Sequence, residues 1–323
     1  MIIVTGGAGF IGSATVKKLN DNGLEQILIV DNLGSSEKWK NLVGKRFDDY
    51  LHKNDFISKL DKPNSFSDTE AVIHFGACSD TTEQDADYLM RNNYQYSRRL
   101  AEWCFAKNIR FIYASSAATY GNGDFGFVDD DTTSLKLKPL NRYGYSKHVF
   151  DLWLINNKLI NRGAGLKFFN VYGPNEYHKG DMRSLINKAY FQIKETGKVR
   201  LFKSHKPEFG DGEQTRDFVY VKDCLDVIWW LLRNPKVNGI FNLGSGKARS
   251  WNDLVKAIFG ALELKPKIEY IDMPETIRDA YQYHTKASMD KLAATGCPLH
   301  FHSLEEGVSN YVKEYLSHNF QTL

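Results

Sequence analysis

The chain opens Met1-Ile2-Ile3-Val4-Thr5-Gly6-Gly7-Ala8-Gly9-Phe10-Ile11-Gly12. Ile2 to Thr5 reads as an apolar strand that runs straight into glycines at Gly6, Gly9 and Gly12, and Ser13 to Leu19 continues as an amphipathic segment. A second apolar run, Ile27 to Val30, ends at Asp31. A turn this tight needs glycine backbone angles, and a missing Cβ lets the main chain approach a pyrophosphate. The N–H groups of the following helix then point at the phosphate oxygens. Strand, glycine turn, helix and an acid at the next strand end together predict a dinucleotide site; the alternative is a glycine-rich turn with no ligand.

Short apolar runs alternate with helix-like segments through the first half. Strands over Ala71–Phe75, Phe111–Ser115 and Leu166–Asn170, with helices over Ala14–Asn20, Tyr94–Lys107 and Tyr145–Asn156, predict an α/β fold with a Rossmann-type doubly wound parallel sheet. Ligands of such sheets bind beyond the carboxyl ends of the strands. Gly6–Gly12, Asp31, Gly76–Ser79, Ser115–Thr119 and Asn170–Pro174 all fall there. The second half predicts a helix from about Arg183 to Glu195, a polar loop Lys203–Thr215, a strand Asp217–Val221 and a helix Asp223–Leu232. A strand Ile240–Leu243 and amphipathic stretches Trp251–Leu262 and Leu304–Leu316 follow. The expected organisation is a cofactor-binding domain over 1–170, to which 217–245 return, and a smaller discontinuous α/β substrate lobe from 171–216 and 246–323.

Composition narrows the class. A net charge of +3 over 323 residues, with no dense basic run, argues against nucleic acid as a partner. Cys78, Cys104, Cys224 and Cys297 are scattered without a C-x-x-C pair and read as reduced, buried thiols; no metal is expected. No apolar run has the length of a membrane span, and a strand starting at Met1 leaves no room for a signal peptide. The expected compartment is the cytoplasm, with no membrane partner.

Tyr143 and Lys147 lie four apart in Tyr143-Gly144-Tyr145-Ser146-Lys147, on one face if the segment is helical. An ammonium near a phenol favours phenolate, which can take a proton from a sugar hydroxyl as hydride leaves its carbon. From this motif alone, an interfacial tyrosine beside a solvated lysine is the commoner reading. Ser116, in Ala114-Ser115-Ser116-Ala117-Ala118-Thr119-Tyr120-Gly121 after a strand, is placed to hydrogen-bond the reacting hydroxyl.

With glycine loop, serine segment and Tyr-x-x-x-Lys in this order, the chain resembles the extended short-chain dehydrogenase/reductase family. Phe169-Asn170-Val171-Tyr172-Gly173-Pro174 and Arg216-Asp217-Phe218-Val219-Tyr220-Val221 are similar to that family's later motifs. The resemblance implies a nucleotide-sugar-modifying enzyme that keeps its nicotinamide cofactor through the cycle. Sugar dehydratases of the family carry an acidic pair where this chain has Ala117 and Ala118, and GDP-fucose synthases a cysteine that is missing here. UDP-hexose 4-epimerases using NAD share the alanine-rich motif and remain open, as does a non-catalytic NADP-binding regulator on the same fold.

Longer strings separate these. Gly173-Pro174-Asn175-Glu176-Tyr177-His178-Lys179-Gly180-Asp181-Met182, Gly76-Ala77-Cys78-Ser79-Asp80-Thr81-Thr82-Glu83 and Asn92-Asn93-Tyr94-Gln95-Tyr96-Ser97 resemble the heptose 6-epimerases of the family, as do Lys203-Ser204-His205-Lys206-Pro207 and Asp211-Gly212-Glu213-Gln214. That resemblance implies an ADP-heptose substrate for lipopolysaccharide core synthesis and a two-base epimerase, with Tyr143 and Lys179 facing opposite sides of C6. It implies a cofactor cradle of Gly6, Gly9, Phe10, Ile11, Gly12, Asp31, Asn32, Lys38, Lys53, Phe75, Gly76, Ala77, Cys78, Ser79, Asn92, Lys147, Val171 and Lys179. Lys38 and Lys53 around a 2′-phosphate favour NADP over NAD. The implied sugar-nucleotide site is Ser116, Asn170, Asp181, Lys188, Phe202, Lys203, Ser204, His205, Arg216 and Tyr281, and the implied assembly is a homo-oligomer, commonly a pentamer. Departures from the pattern are Asp181, Arg183 and Asn187-Lys188, which alter the shape of the sugar pocket and leave Ser116, Tyr143, Lys147 and Lys179 untouched.

Overall fold

The computed structural model describes residues 1–278 and 281–323. Its strands are β1 (Ile2–Thr5), β2 (Ile27–Asp31), β3 (Asp49–His52), β4 (Ala71–His74), β5 (Arg110–Ser116), β6 (Ala164–Phe168), β7 (Asn170–Tyr172), β8 (Val199–Phe202), β9 (Thr215–Tyr220), β10 (Gly239–Leu243), β11 (Ala248–Ser250) and β12 (Ile268–Ile271). Seven of them form one sheet in the order β10-β6-β5-β4-β1-β2-β3, every pair parallel. The chain leaves β1 in one direction and returns to its other side with β4. That reversal opens the crevice in which doubly wound sheets bind ligands. The central strands are buried throughout, which is why they read as unbroken apolar runs.

The expected elements recur with shifted ends. β3 was not anticipated: Asp49-Tyr50-Leu51-His52 is an edge strand, partly exposed, without a continuous apolar signal. The run expected over Leu166–Asn170 is divided. β6 ends at Phe168, and β7 leaves the main sheet to pair in parallel with β9, which also pairs antiparallel with β11. β8 and β12 make a third, two-stranded sheet. The helix expected from Tyr145 begins earlier, at Arg142, because the Asn141 side chain caps it by accepting from the Gly144 N–H at 2.7 Å. Tyr143 therefore sits in its first turn.

Gly12 shows why the opening turn tolerates no side chain. A Cβ there would stand 2.0 Å from the Gly6 carbonyl oxygen, and Gly6 itself has φ +67°. Helix Phe10–Asp21 thereby packs its first turn directly on the loop it follows.

Helix Arg142–Asn156 is locked to the sheet by polar groups that water cannot reach. Asp151 and Lys167 are both 0 % exposed and pair at 2.9 Å. The Asp151 carboxylate also accepts from Ser115 Oγ at 2.7 Å and the Tyr113 hydroxyl at 3.2 Å, and Lys167 Nζ donates to Thr119 Oγ1 at 2.7 Å. Removing one partner of a buried pair leaves an uncompensated charge. Lys167→Met is expected to destabilise the protein by about 3–5 kcal/mol, measured by chemical unfolding, with Lys167→Met/Asp151→Leu recovering part of the loss.

Candidate active site

A cleft of about 1030 Å³ opens at the carboxyl ends of β1, β2, β4 and β5 and runs towards β7 and β8. It brings together most of the anticipated residues. Gly6, Gly9, Phe10, Ile11 and Gly12 line one end beside Asp31, Asn32, Lys38 and Lys53, with Phe75–Ser79 and Asn92 on its wall. Ser116, Tyr143, Lys147, Asn170, Val171, Lys179, Lys188, Phe202 and Tyr281 line the remainder. Asp181, Lys203, Ser204, His205 and Arg216 are not in the cleft wall. Asp181 and His205 point to solvent, the Lys203 ammonium pairs with Asp272 at 3.2 Å, and Ser204 Oγ donates to the Lys206 carbonyl within its own loop. Arg216 is buried one layer back, against the rings of Tyr281 and Trp251.

The glycine end fits a dinucleotide phosphate. Helix Phe10–Asp21 is capped by Gly9, which has no side chain to occupy the first N–H groups. The Asp31 carboxylate is engaged by the protein itself: Oδ2 accepts from the Ala8 N–H at 2.8 Å, and Oδ1 from the Asn32 N–H and Lys38 Nζ, both at 2.7 Å. Lys53 donates to Asn92 Oδ1 at 2.6 Å. Its pKa is lowered by burial and then by the neighbouring Lys38, so two cations share this corner.

Asn93 ties the cleft wall to helix Arg142–Asn156. Its amide accepts from the Cys78 N–H and donates to the Cys78 carbonyl and to Ser146 Oγ. Cys78 is only half-buried, unlike Cys104, Cys224 and Cys297; the expectation of four buried thiols is corrected there, because residue 78 lines the cleft.

Tyr143 and Lys147 share a helix face, as their spacing predicts. The expected electrostatics differ. Burial raises the Tyr143 pKa, with Ser116 opposing, and Lys147 is not among the groups acting on it. Lys147 is 5 % exposed, and burial pushes its pKa down to about 8 against the pull of Asp151. Lys179 is also lowered, by burial, with Glu176 opposing. It sits on the turn Tyr177–Met182, its Nζ 5.6 Å from the centroid of the Phe10 ring. The turn kinks at Gly180, whose φ of +53° and ψ of −127° suit glycine.

Lining residues that sequence reasoning leaves out include His178, Trp251 and Tyr88. His178 accepts from Asn41 Nδ2 through Nδ1 at 3.2 Å, and burial, Lys38 and Lys179 lower its pKa to about 4; it was visible as the neighbour of Lys179. Trp251 donates to the Tyr281 hydroxyl at 2.9 Å, and Tyr88 flanks the Phe75–Ser79 wall. Neither carries a local signal. Among the described residues, no helix is long and apolar enough to cross a membrane, and no cluster of three or more His, Cys, Asp or Glu is placed to hold a metal ion.

Comparison with known proteins places this cleft in context. The family model described as NAD dependent epimerase/dehydratase family matches residues 2–244. The chain is 61 % identical over 317 residues to an ADP-L-glycero-D-manno-heptose-6-epimerase of Nitratidesulfovibrio vulgaris, covering 98 % of each chain. It is 50 % identical over 326 residues to one of Fusobacterium nucleatum, again covering 98 % of each. The crystal structure of the Helicobacter pylori ADP-L-glycero-D-manno-heptose-6-epimerase superposes with a TM-score of 0.81 at 29 % identity, over 97 % of this chain and 95 % of that one.

The buried Lys147 generates a stability test. Its folded pKa of about 8 lies below the 10.5 of a solvated lysine, so the unfolded chain binds more protons between those values and stability rises with pH there. Below about pH 8 the burial penalty is fully present. Lys147→Met removes that penalty and is expected to stabilise the cofactor-stripped protein at pH 7, by on the order of 3 kcal/mol. The variant's melting temperature should also lose the rise between pH 8 and 10.5.

Proposed function

Since the chain belongs to the NAD dependent epimerase/dehydratase family, we propose that it interconverts ADP-D-glycero-D-manno-heptose and ADP-L-glycero-D-manno-heptose by inverting C6, for lipopolysaccharide core heptose synthesis. The observation that carries this reading is the meeting of two separate proton carriers, Tyr143 and Lys179, in one cleft with Ser116. One comes from the helix that follows the β5 motif and the other from the turn after β7. Inversion needs an acid/base group for each hydroxyl orientation, because a single fixed group cannot serve both.

NADP bound along the glycine end would accept the C6 hydride and return it. Gly6–Gly12 and the free helix N-terminus would hold its pyrophosphate, and Asn32, Lys38 and Lys53 its 2′-phosphate. Asp31 supports this choice, since its carboxylate already takes three protein donors and two ammonium groups flank it. Tyr143 carries the hydroxyl proton on one face of C6 and Lys179 on the other. Ser116 orients the hydroxyl, and Lys147 holds the nicotinamide ribose next to Tyr143. In the folded protein burial holds Tyr143 as the phenol, so it starts as the acid unless bound ligands lower its pKa. Arg216 supports Tyr281 and Trp251 from behind as a stacked wall for the nucleotide. A homo-oligomeric, cytoplasmic enzyme accords with this role.

Incubation with ADP-D-glycero-D-manno-heptose should yield the C6-inverted heptose, read by NMR. Tyr143→Phe and Lys179→Met should each slow epimerisation by about 10²–10⁴-fold. Near-normal turnover in Lys179→Met would end the two-base reading and favour a tyrosine-only 4-epimerase. For the cofactor, Lys38→Ala/Lys53→Ala should weaken NADP binding far more than NAD binding in titration calorimetry. Equal losses would show that neither lysine reads the 2′-phosphate.

A further inference from the structure

We infer that Glu176 is a positioning residue for Lys179: its buried carboxylate closes the turn that carries the second acid/base group and sets the charge that this group faces. The inference rests on the two-base reading above.

Glu176 is 1 % exposed. Its carboxylate accepts from the Ser184 N–H at 2.5 Å, from Ser184 Oγ at 2.7 Å and from the Gly173 N–H at 3.4 Å. Its own carbonyl accepts from the Lys179 N–H at 3.0 Å. One residue therefore bonds the chain before the turn, the turn itself and Ser184, two residues beyond it. Residues 177–183 are held as a closed loop whose far end reverses at Gly180, where Arg183 bonds back to the Gly180 carbonyl at 2.7 Å. Ser184 is in turn the cap of helix Leu185–Thr196, so the loop is referenced to a rigid element.

The carboxylate has a second role. Among the described residues it forms no ion pair within contact distance, and a buried carboxylate without one is costly. The groups that face it are Ser184, Tyr177, Tyr311 and Lys179. Lys179 alone is cationic. The groups that face Lys179 are Glu176, His178 and the Phe10 ring. Burial lowers Lys179 and raises Glu176, and each charge opposes the shift of the other. Removing the Glu176 charge therefore moves Lys179 further down.

Glu176→Gln keeps the shape and the Oε1 acceptor of Ser184 Oγ, deletes the charge and sets an amide donor against the Ser184 N–H. Its kcat for ADP-heptose epimerisation should fall about 10–100-fold, the scale of a 1 Å misplacement, with KM little changed. The limb of the pH–rate profile that Lys179 governs should move to lower pH. Ser184→Ala removes one donor and leaves the charge, so kcat should fall with that limb in place, and Ser184→Thr should restore it. Wild-type kcat and an unmoved limb in Glu176→Gln, with Lys179→Met inactive, would overturn the inference. An active Lys179→Met would instead overturn the two-base reading beneath it. If Glu176→Gln does not fold, the serine pair decides: wild-type kcat in Ser184→Ala overturns the inference, and loss rescued by threonine supports it.

Discussion

A carboxylate sealed from solvent, Asp151, fixes where Ser116, Tyr143 and Lys147 stand in the cleft. It is one helical turn beyond Lys147 and two beyond Tyr143, on the same face of helix Arg142–Asn156. From the sheet it receives Lys167 and Ser115, the latter adjacent to Ser116. Lys167 also reaches Thr119, in the turn that follows Ser116. The rotation of the helix about its axis and the end of β5 are thus set by one buried network. Buried ion pairs add little stability over apolar groups of the same size. What this network supplies is orientation.

The cleft gathers ammonium groups whose nearby carboxylates only partly offset the cost of burying them. Lys53, Lys147 and Lys179 are all pushed down by burial, which is the signature of cations held where water is scarce. Such a lining is complementary to phosphates, and their binding offsets a cost that the folded chain otherwise carries. The same burial acts on Tyr143 in the opposite sense, holding it as the phenol. Proximity of a lysine in sequence therefore says where a tyrosine sits, while the surrounding medium decides its protonation.

The parts of the fold that were legible are those whose cause is local. The glycine turn follows from steric contact between Gly12 and Gly6, and the buried parallel strands announce themselves as apolar runs. β3 did not, because this edge strand is partly exposed along its whole length and brackets two apolar residues with polar ones. Within the cleft, Ser116, Tyr143 and Lys147 were readable from spacing, and Lys38, Lys53 and Lys179 from resemblance. The same resemblance also pointed to Asp181 and Lys203–His205, whose side chains turn away from the cleft wall or bond within their own segments. Glu176, Asn41 and Trp251 were illegible. Asn41 and Trp251 work through partners distant in sequence and Glu176 through groups of its own loop, and neither kind of bond marks a polar residue in one dimension.

Beyond its local bonds to Gly173 and Ser184, the Lys179 turn is joined to the rest of the chain by partners far away in sequence. The Asn41 amide holds the Ala8 carbonyl, the Asn175 carbonyl and His178. Asn175 bonds Ser13 and the Leu323 N–H, Tyr177 bonds the Gln321 carbonyl, and the Glu176 carboxylate faces Tyr311. Contacts of such long separation form late, after the loop-closure entropy of the intervening chain has been met. During synthesis the strands β1 to β6 can pair while residue 179 has no fixed surroundings. The turn gains its last supports only once residues 311–323 have emerged, so a nascent chain can present the finished glycine end of the cleft before Lys179 has its final surroundings.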